Sequence, residues 1–213
     1  MLSGQKIVLA VTGSIAAYKS CELLRLLIKR GAEVSVIMTE AAQRFVTPLS
    51  FQALGAKKVY TGDWGDSASP IPHIEATKEA SLLLVAPATA NILAKAAQGL
   101  ADDLLSAAIL AARCPVAYAP AMNTFMWHNQ ATQRNVTQLT QDGAIFLGPD
   151  SGEQACGDIG SGRMLEPEDI IELLQGAFSP RLLDRCRVLI TAGPTYEPID
   201  PVRGITNLSS GKQ

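Results

Sequence analysis

Three side chains have types and settings suited to chemistry: His73, Asn123 and Cys156. His73 stands in Pro70-Ile71-Pro72-His73-Ile74-Glu75, ahead of a helical stretch, and is one of only two histidines. Imidazole exchanges protons near neutral pH, although a lone histidine is more often structural or solvated. Asn123 stands in Pro120-Ala121-Met122-Asn123-Thr124-Phe125-Met126-Trp127. Its amide can hold a carboxylate or a carbonyl, while each methionine or tryptophan of that string, taken singly, reads equally as core. Cys156 stands in Gln154-Ala155-Cys156-Gly157-Asp158, within a glycine-rich stretch from Gly148 to Gly162 that reads as a loop. Long loops without secondary structure are uncommon and often functional. Cys21 and Cys114 have core-like settings, Cys186 has no assignable one, and His128 carries no further signal.

Two small-residue strings supply candidate binding turns. Thr12-Gly13-Ser14-Ile15-Ala16-Ala17-Tyr18-Lys19 falls between a strand-like run and a helical one. Small residues there let backbone N–H groups approach an anion, which a helix N-terminus also favours. The string contains neither GxGxxG nor GxxxxGK[ST], so neither a dinucleotide nor a nucleoside triphosphate is indicated. A single phosphate, as in flavin mononucleotide (FMN), fits better; the plain alternative is a tight βα turn. Ala86-Pro87-Ala88-Thr89-Ala90-Asn91 is a second such turn. Thr89 and Asn91 can cap the helix that follows, or donate to ring carbonyls or a phosphate.

These residues need a frame. Ile7–Val11 is a continuous apolar run, as in a strand buried on both faces. Ala17, Cys21, Leu24 and Ile28 recur at helical spacing over 16–30, and Gly31 stops that helix. Strands are predicted at 33–38, 81–86, 115–119 and 144–147, with helices at 89–97, 102–112 and 166–174. Pro167 is acceptable in the first turn of the last. This alternation specifies a parallel sheet covered on both faces, a three-layer, doubly wound α/β fold in which ligands bind at the carboxyl ends of strands. All the turns singled out above lie at that edge. A domain is expected over 1–180. A new strand-like run, Arg187–Thr191, opens a second domain over 181–213. Its proline- and glycine-rich continuation reads as mobile loop without further strands, as though the domain were cut off.

Of the 213 residues, 47% are hydrophobic and 18% charged, which excludes a disordered chain. The net charge of −2 gives no electrostatic basis for general nucleic-acid binding. No apolar run reaches bilayer-spanning length, and the first residues do not read as a signal peptide. Four scattered cysteines without a CxxC suggest a reducing cytoplasm and no zinc or disulfide framework.

Taken together, the Gly13–Lys19 string, His73, the Ala86–Asn91 turn, the PAMNTFMW segment and Ala155-Cys156-Gly157-Asp158-Ile159-Gly160 resemble the phosphopantothenoylcysteine decarboxylases. These motifs span residues from about 5 to 175. Ala192-Gly193-Pro194-Thr195 and Ile199-Asp200-Pro201-Val202-Arg203 resemble the opening of phosphopantothenate–cysteine ligases, whose nucleotide-binding core does not follow, so no ligase activity is expected. Asp102 departs from the pattern, which has asparagine there and touches a subunit or flavin contact.

The resemblance implies a Rossmann-like flavoprotein fold, FMN as cofactor, and 4′-phospho-N-pantothenoylcysteine as substrate. It also implies a trimer-based and even dodecameric homo-oligomer with flavin at its subunit interfaces. It assigns FMN to Gly13, Ser14, Ile15, Thr39, Thr89, Ala90, Asn91, Ile92 and Ala121, and substrate to Asn123 and Ala155. The implied chemistry solves a specific difficulty. The carbon bearing the substrate's carboxylate has no electron sink. Oxidation of the adjacent CH2–SH to a thioaldehyde by flavin creates one, CO2 leaves, and an enethiolate remains to be protonated and reduced. His73 then serves the oxidative step as base or charge-positioning group, Asn123 holds the carboxylate, and Cys156 donates the proton as a thiol. Flavin prenyltransferases and peptidyl-cysteine decarboxylases share the fold, as do regulatory flavoproteins that bind a phosphatase. The complete set of three residues and the ligase-like tail favour the first reading.

Overall fold

The computed structural model describes residues 2–61, 70–178, 189, 194 and 196–206. The chain divides into two compact units, 1–179 and 180–213. In the first, six parallel strands lie in the order β3-β2-β1-β4-β5-β6. They are β1 (Lys6–Val11), β2 (Glu33–Met38), β3 (Val59–Thr61), β4 (Leu82–Ala88), β5 (Val116–Pro120) and β6 (Ile145–Phe146). This is the doubly wound order in which the chain reverses direction across the sheet between β1 and β4. The central strands are buried along nearly their whole length, since helices cover both faces. Side chains alternate accordingly. Ile7, Leu9 and Val11 of β1 join Val34, Val36, Leu82 and Leu84 on one face. Val8, Ala10, Ile37, Leu83 and Val85 point to the other.

The first face is covered by α1 (Lys19–Lys29), through Leu23, Leu24 and Leu27, and by α8 (Pro167–Phe178), through Ile170, Ile171 and Leu174. Each fully buried leucine or isoleucine contributes about 1.5–3 kcal/mol. The second face takes Ile92 and Leu93 of α4 (Ala90–Gln98), Leu105 of α5 (Leu104–Ala111) and Leu139 of α7 (Gln130–Gln141). Short helices α2 (Pro48–Ala53), α3 (Pro72–Thr77) and α6 (Thr124–His128) complete this unit. A 3-10 turn, Ile15–Tyr18, precedes α1, so the helix starts later than the apolar spacing predicts. Ile15 and Tyr18 are exposed and do not continue the buried face.

The glycine-rich stretch is not a structureless loop. Asp150–Glu153 (β7) and Ile159–Arg163 (β8) pair as an antiparallel ribbon outside the main sheet. Its residues are poor β-formers, and the ribbon rests on pairing and close packing rather than propensity. Gly160 and Gly162 make that packing possible. A Cβ at Gly160 would fall 2.5 Å from Thr124 Oγ1, and one at Gly162, where φ is +137°, 2.4 Å from the Met122 carbonyl oxygen.

In the second unit, the described residues form an antiparallel pair, β9 (Tyr196–Pro198) and β10 (Gly204–Thr206), where the sequence reading expects no strand. The Asp200 carboxylate closes the turn by accepting from the Val202 and Arg203 amides, local bonds that composition does not reveal. Most of the predicted strand at Arg187–Thr191, with Cys186, lies outside the described residues. No helix among the described residues is long and apolar enough to cross a membrane.

Candidate active site

The carboxyl ends of β1 and β4 meet where the chain reverses. Thr12 Oγ1 donates to the Pro87 carbonyl (2.8 Å) and lies 3.4 Å from Thr89 Oγ1. Thr89 caps α4, its side chain accepting from the Ile92 amide. Gly13 passes so close to the neighbouring loop that a Cβ would stand 2.5 Å from Ala41 Cβ. Ser14 accepts from the Ala16 amide and caps the 3-10 turn.

Two clefts flank this turn. One, of about 720 Å3, is lined by Thr12, Gly13, Thr39, Thr89, Ala90, Asn91 and Ile92, together with Glu40, Lys95, Asp102, Asp103 and Met126. The other, of about 620 Å3, is lined by Ser14, Ile15, Ala121, Asn123, Ala155 and Cys156, together with Lys19, Gln154 and Arg163. The nine residues assigned to FMN are thus divided. Gly13, Thr39 and Thr89–Ile92 face the first cleft, and Ser14, Ile15 and Ala121 the second. Ala121 is buried and its amide donates to the Ala88 carbonyl, so β4 and β5 place it through the backbone.

Asn123 and Cys156 come together in the second cleft. Asn123 caps α6, with Oδ1 accepting from the Phe125 amide at 2.8 Å. That bond commits the oxygen and directs Nδ2 toward the ribbon, where it donates to Cys156 Sγ (3.3 Å) and to Asp158 Oδ2 (2.7 Å). The Cys156 thiol donates to the same Asp158 oxygen at 3.2 Å. The ribbon is tied down beside them: Met122 N donates to the Gly162 carbonyl, and Thr124 N to Gln154 Oε1. Cys156 is exposed, whereas Cys21 and Cys114 are half-buried and burial pushes their thiols up.

His73 does not join them. It sits in the first turn of α3, which packs against α5, and lines neither cleft. His128 Nδ1 lies 2.9 Å from the carbonyl of Thr124, one helical turn back.

Lys19 and Lys95 at the clefts make contacts that residue type and spacing do not announce. Lys19, nearly buried, donates to Glu166 (2.7 Å) and to the Met164 carbonyl (3.1 Å), binding the start of α1 to the end of the ribbon. Lys95 bridges Asp102 (2.8 Å) and Asp103 (2.6 Å). Its ammonium beside Asp102 holds that carboxyl below the usual range, so Asp102 enters the first cleft as a paired anion. Lys19 and Asp158 stand out in the sequence only as members of their motifs. No cluster of metal-ligating side chains occurs among the described residues.

A doubly wound parallel sheet, with two clefts at its reversal point and a thiol–amide pair in one of them, belongs to a defined class. Residues 1–179 match the family model described as Flavoprotein, and the chain belongs to that family. Residues 183–213 match the DNA/pantothenate metabolism flavoprotein C-terminal domain. The chain is 51% identical over 212 residues to the Coenzyme A biosynthesis bifunctional protein CoaBC of Vibrio cholerae, covering 99% of this chain and 53% of the relative. It is 52% identical over 213 residues to that of Escherichia coli, covering 99% and 52%. It therefore spans about half the length of these relatives. Among solved structures, a PPC decarboxylase mutant complexed with pantothenoylaminoethenethiol superposes with a TM-score of 0.73 at 33% identity, covering 82% of this chain and 98% of that one. The FMN-dependent cysteine decarboxylase SpaF gives 0.70 at 33%, covering 83% and 99%.

Proposed function

We propose that the domain over residues 1–180 binds FMN and decarboxylates 4′-phospho-N-pantothenoylcysteine to 4′-phosphopantetheine in cytoplasmic coenzyme A biosynthesis. Residues 181–213 then begin a second, ligase-type domain. The observation that carries the reading is the Asn123 amide bonded to the Cys156 thiol at 3.3 Å within one cleft. The chain's kinship to CoaBC proteins supports the substrate.

The residues present fit a flavin monophosphate. The first cleft offers the hydroxyls of Thr39 and Thr89, the Asn91 amide, and a turn at Gly13 with no room for a Cβ. In this reading the phosphate lies at the Gly13–Ala16 turn. Bound FMN supplies two-electron oxidation and reduction at the substrate's thiol-bearing carbon. Asn123 Nδ2 orients the substrate carboxylate, because its oxygen is committed to the α6 cap. Cys156 gives its proton to the enethiolate carbon after CO2 has left. His73 serves the oxidative step from a neighbouring subunit, since it lines neither cleft of its own. Exposed Phe125, Met126 and Ile159 around the site supply apolar surface for such a homo-oligomer.

The test is direct. Purified protein should carry flavin absorbance, sediment as an oligomer, and convert the substrate to a product lacking one CO2 by mass. Flavin-loaded monomer at micromolar concentration, or unchanged substrate, would sink the reading.

A further inference from the structure

One carboxylate oxygen, Asp158 Oδ2, accepts from both groups that the proposed reaction uses. Asn123 Nδ2 donates to it at 2.7 Å and the Cys156 thiol at 3.2 Å. The amide bond is the shorter and is charge-assisted. Asn123 has no second orientation to offer, because its Oδ1 caps α6. A carboxylate of the protein therefore holds the donor that would receive the carboxylate of a ligand.

We infer that Asp158 is a positioning residue standing in for the substrate carboxylate. It holds Asn123 and Cys156 in the ligand-free site, and an entering carboxylate must displace it from Asn123. This rests on the function proposed above. The backbone around Asp158 permits such an exchange without moving the ribbon. The Gln154 amide donates to the Asp158 carbonyl (2.8 Å), and the Gly157 amide to the Gln154 carbonyl (2.8 Å), so the turn is closed by main-chain bonds. Only the Asp158 side chain has to rotate. While it remains, its negative charge opposes any anion approaching Cys156. Once the ligand's carboxylate has left as neutral CO2, Asn123 is free to receive Asp158 again.

Two alkylating agents isolate that charge. Iodoacetate and iodoacetamide both bond their CH2 carbon to the thiolate sulfur with loss of iodide, and differ in carrying a carboxylate or a neutral amide. The ratio of their rates at Cys156, followed by mass of the Cys156 peptide, cancels the thiol's own reactivity. Asp158→Asn should raise the iodoacetate-to-iodoacetamide ratio about tenfold, and Asp158→Glu should leave it low. In the unmodified protein the ratio should climb with ionic strength, a measurement that needs no variant. A ratio indifferent to both Asp158→Asn and salt overturns the inference.

A second pair of probes tests the ligand. 4′-Phospho-N-pantothenoylserine keeps the carboxylate but has no thiol to oxidise, and the corresponding ethanolamide lacks the carboxylate. By calorimetry on the flavin-loaded protein, Asp158→Asn should bind the serine compound about tenfold more tightly and the ethanolamide unchanged. Equal shifts for both compounds overturn the stand-in role. If the alkylation ratio rises but neither compound binds either protein, the Asp158 contact stands and the substrate reading falls.

Discussion

Asn123 and Cys156 are 33 residues apart in sequence and 3.3 Å apart in space. One caps a helix after β5 and the other tips the β7–β8 ribbon. Because neither belongs to the other's element, each can be altered while the other's support remains.

Their proposed roles predict different points of failure. Cys156→Ser keeps the size and a donor but is a far weaker acid. It should bleach flavin and release CO2 with substrate, then stall with a product two hydrogens lighter than phosphopantetheine. Asn123→Asp should fail before CO2 release, because its carboxylate would face both the substrate's and that of Asp158. His73→Asn should fail equally early. Stopped-flow flavin absorbance and product mass separate these outcomes; normal phosphopantetheine from Cys156→Ser would refute the donor role.

If His73 acts across a subunit boundary, two inactive variants should complement. Co-expressed His73→Asn and Cys156→Ser chains should form oligomers in which about a quarter of the sites receive both native residues. Turnover by the co-expressed pair, absent from either variant alone, is the expected result. No recovery in proven mixed oligomers would place His73 and Cys156 in one subunit's site.

Gly13 tests the cofactor cleft. Gly13→Ala would press a methyl onto Ala41 Cβ, at a cost of about 1–3 kcal/mol. Bound flavin and thermal stability should both fall. Pairing it with Ala41→Gly removes the closest clash and should restore much of each, leaving approaches of 3.1 and 3.2 Å to the Ala41 backbone. Gly13→Asp should lose flavin even in the Ala41→Gly background, since its charge opposes a phosphate. Normal flavin content in a folded Gly13→Asp protein would move the phosphate elsewhere.

Tyr118 gives a pH prediction. It is almost fully buried in β5, stacked on Phe146, and burial raises its phenol well above the ordinary value. Above about pH 10 the unfolded tyrosine loses its proton while the folded one keeps it. Stability is therefore full below that pH and falls above it, by about 1.4 kcal/mol per pH unit from this group. Tyr118→Phe should flatten that part of the urea-denaturation profile. An unchanged alkaline slope would contradict it.

The central sheet was legible because β1, β2, β4 and β5 lie under helices on both sides, which writes continuous apolar runs into the sequence. Helix α7 was not placed. Most of its residues are polar and it buries only Thr132 and Leu139, so its few apolar positions stand too sparsely to draw attention. The ribbon hid behind its glycines, whose purpose is the approach to Met122 and Thr124 rather than a flexible loop. Of the site, the motifs announced Asn123 and Cys156. Their meeting, the separation of His73 and the claim of Asp158 on both groups depend on tertiary packing, which residue type and spacing do not encode.

The ribbon pairs with no strand of the main sheet. Its hold on the domain runs through two glycines, Gln154, the segment beside α6 and, at its far end, Lys19. Its tip, from Ala155 to Asp158, lies beyond those anchors and can therefore drift without loosening the hydrophobic interior. Selection for a new acid to recognise can work on those few positions while the sheet is inherited intact, so recognition and foldability are separately heritable in this architecture.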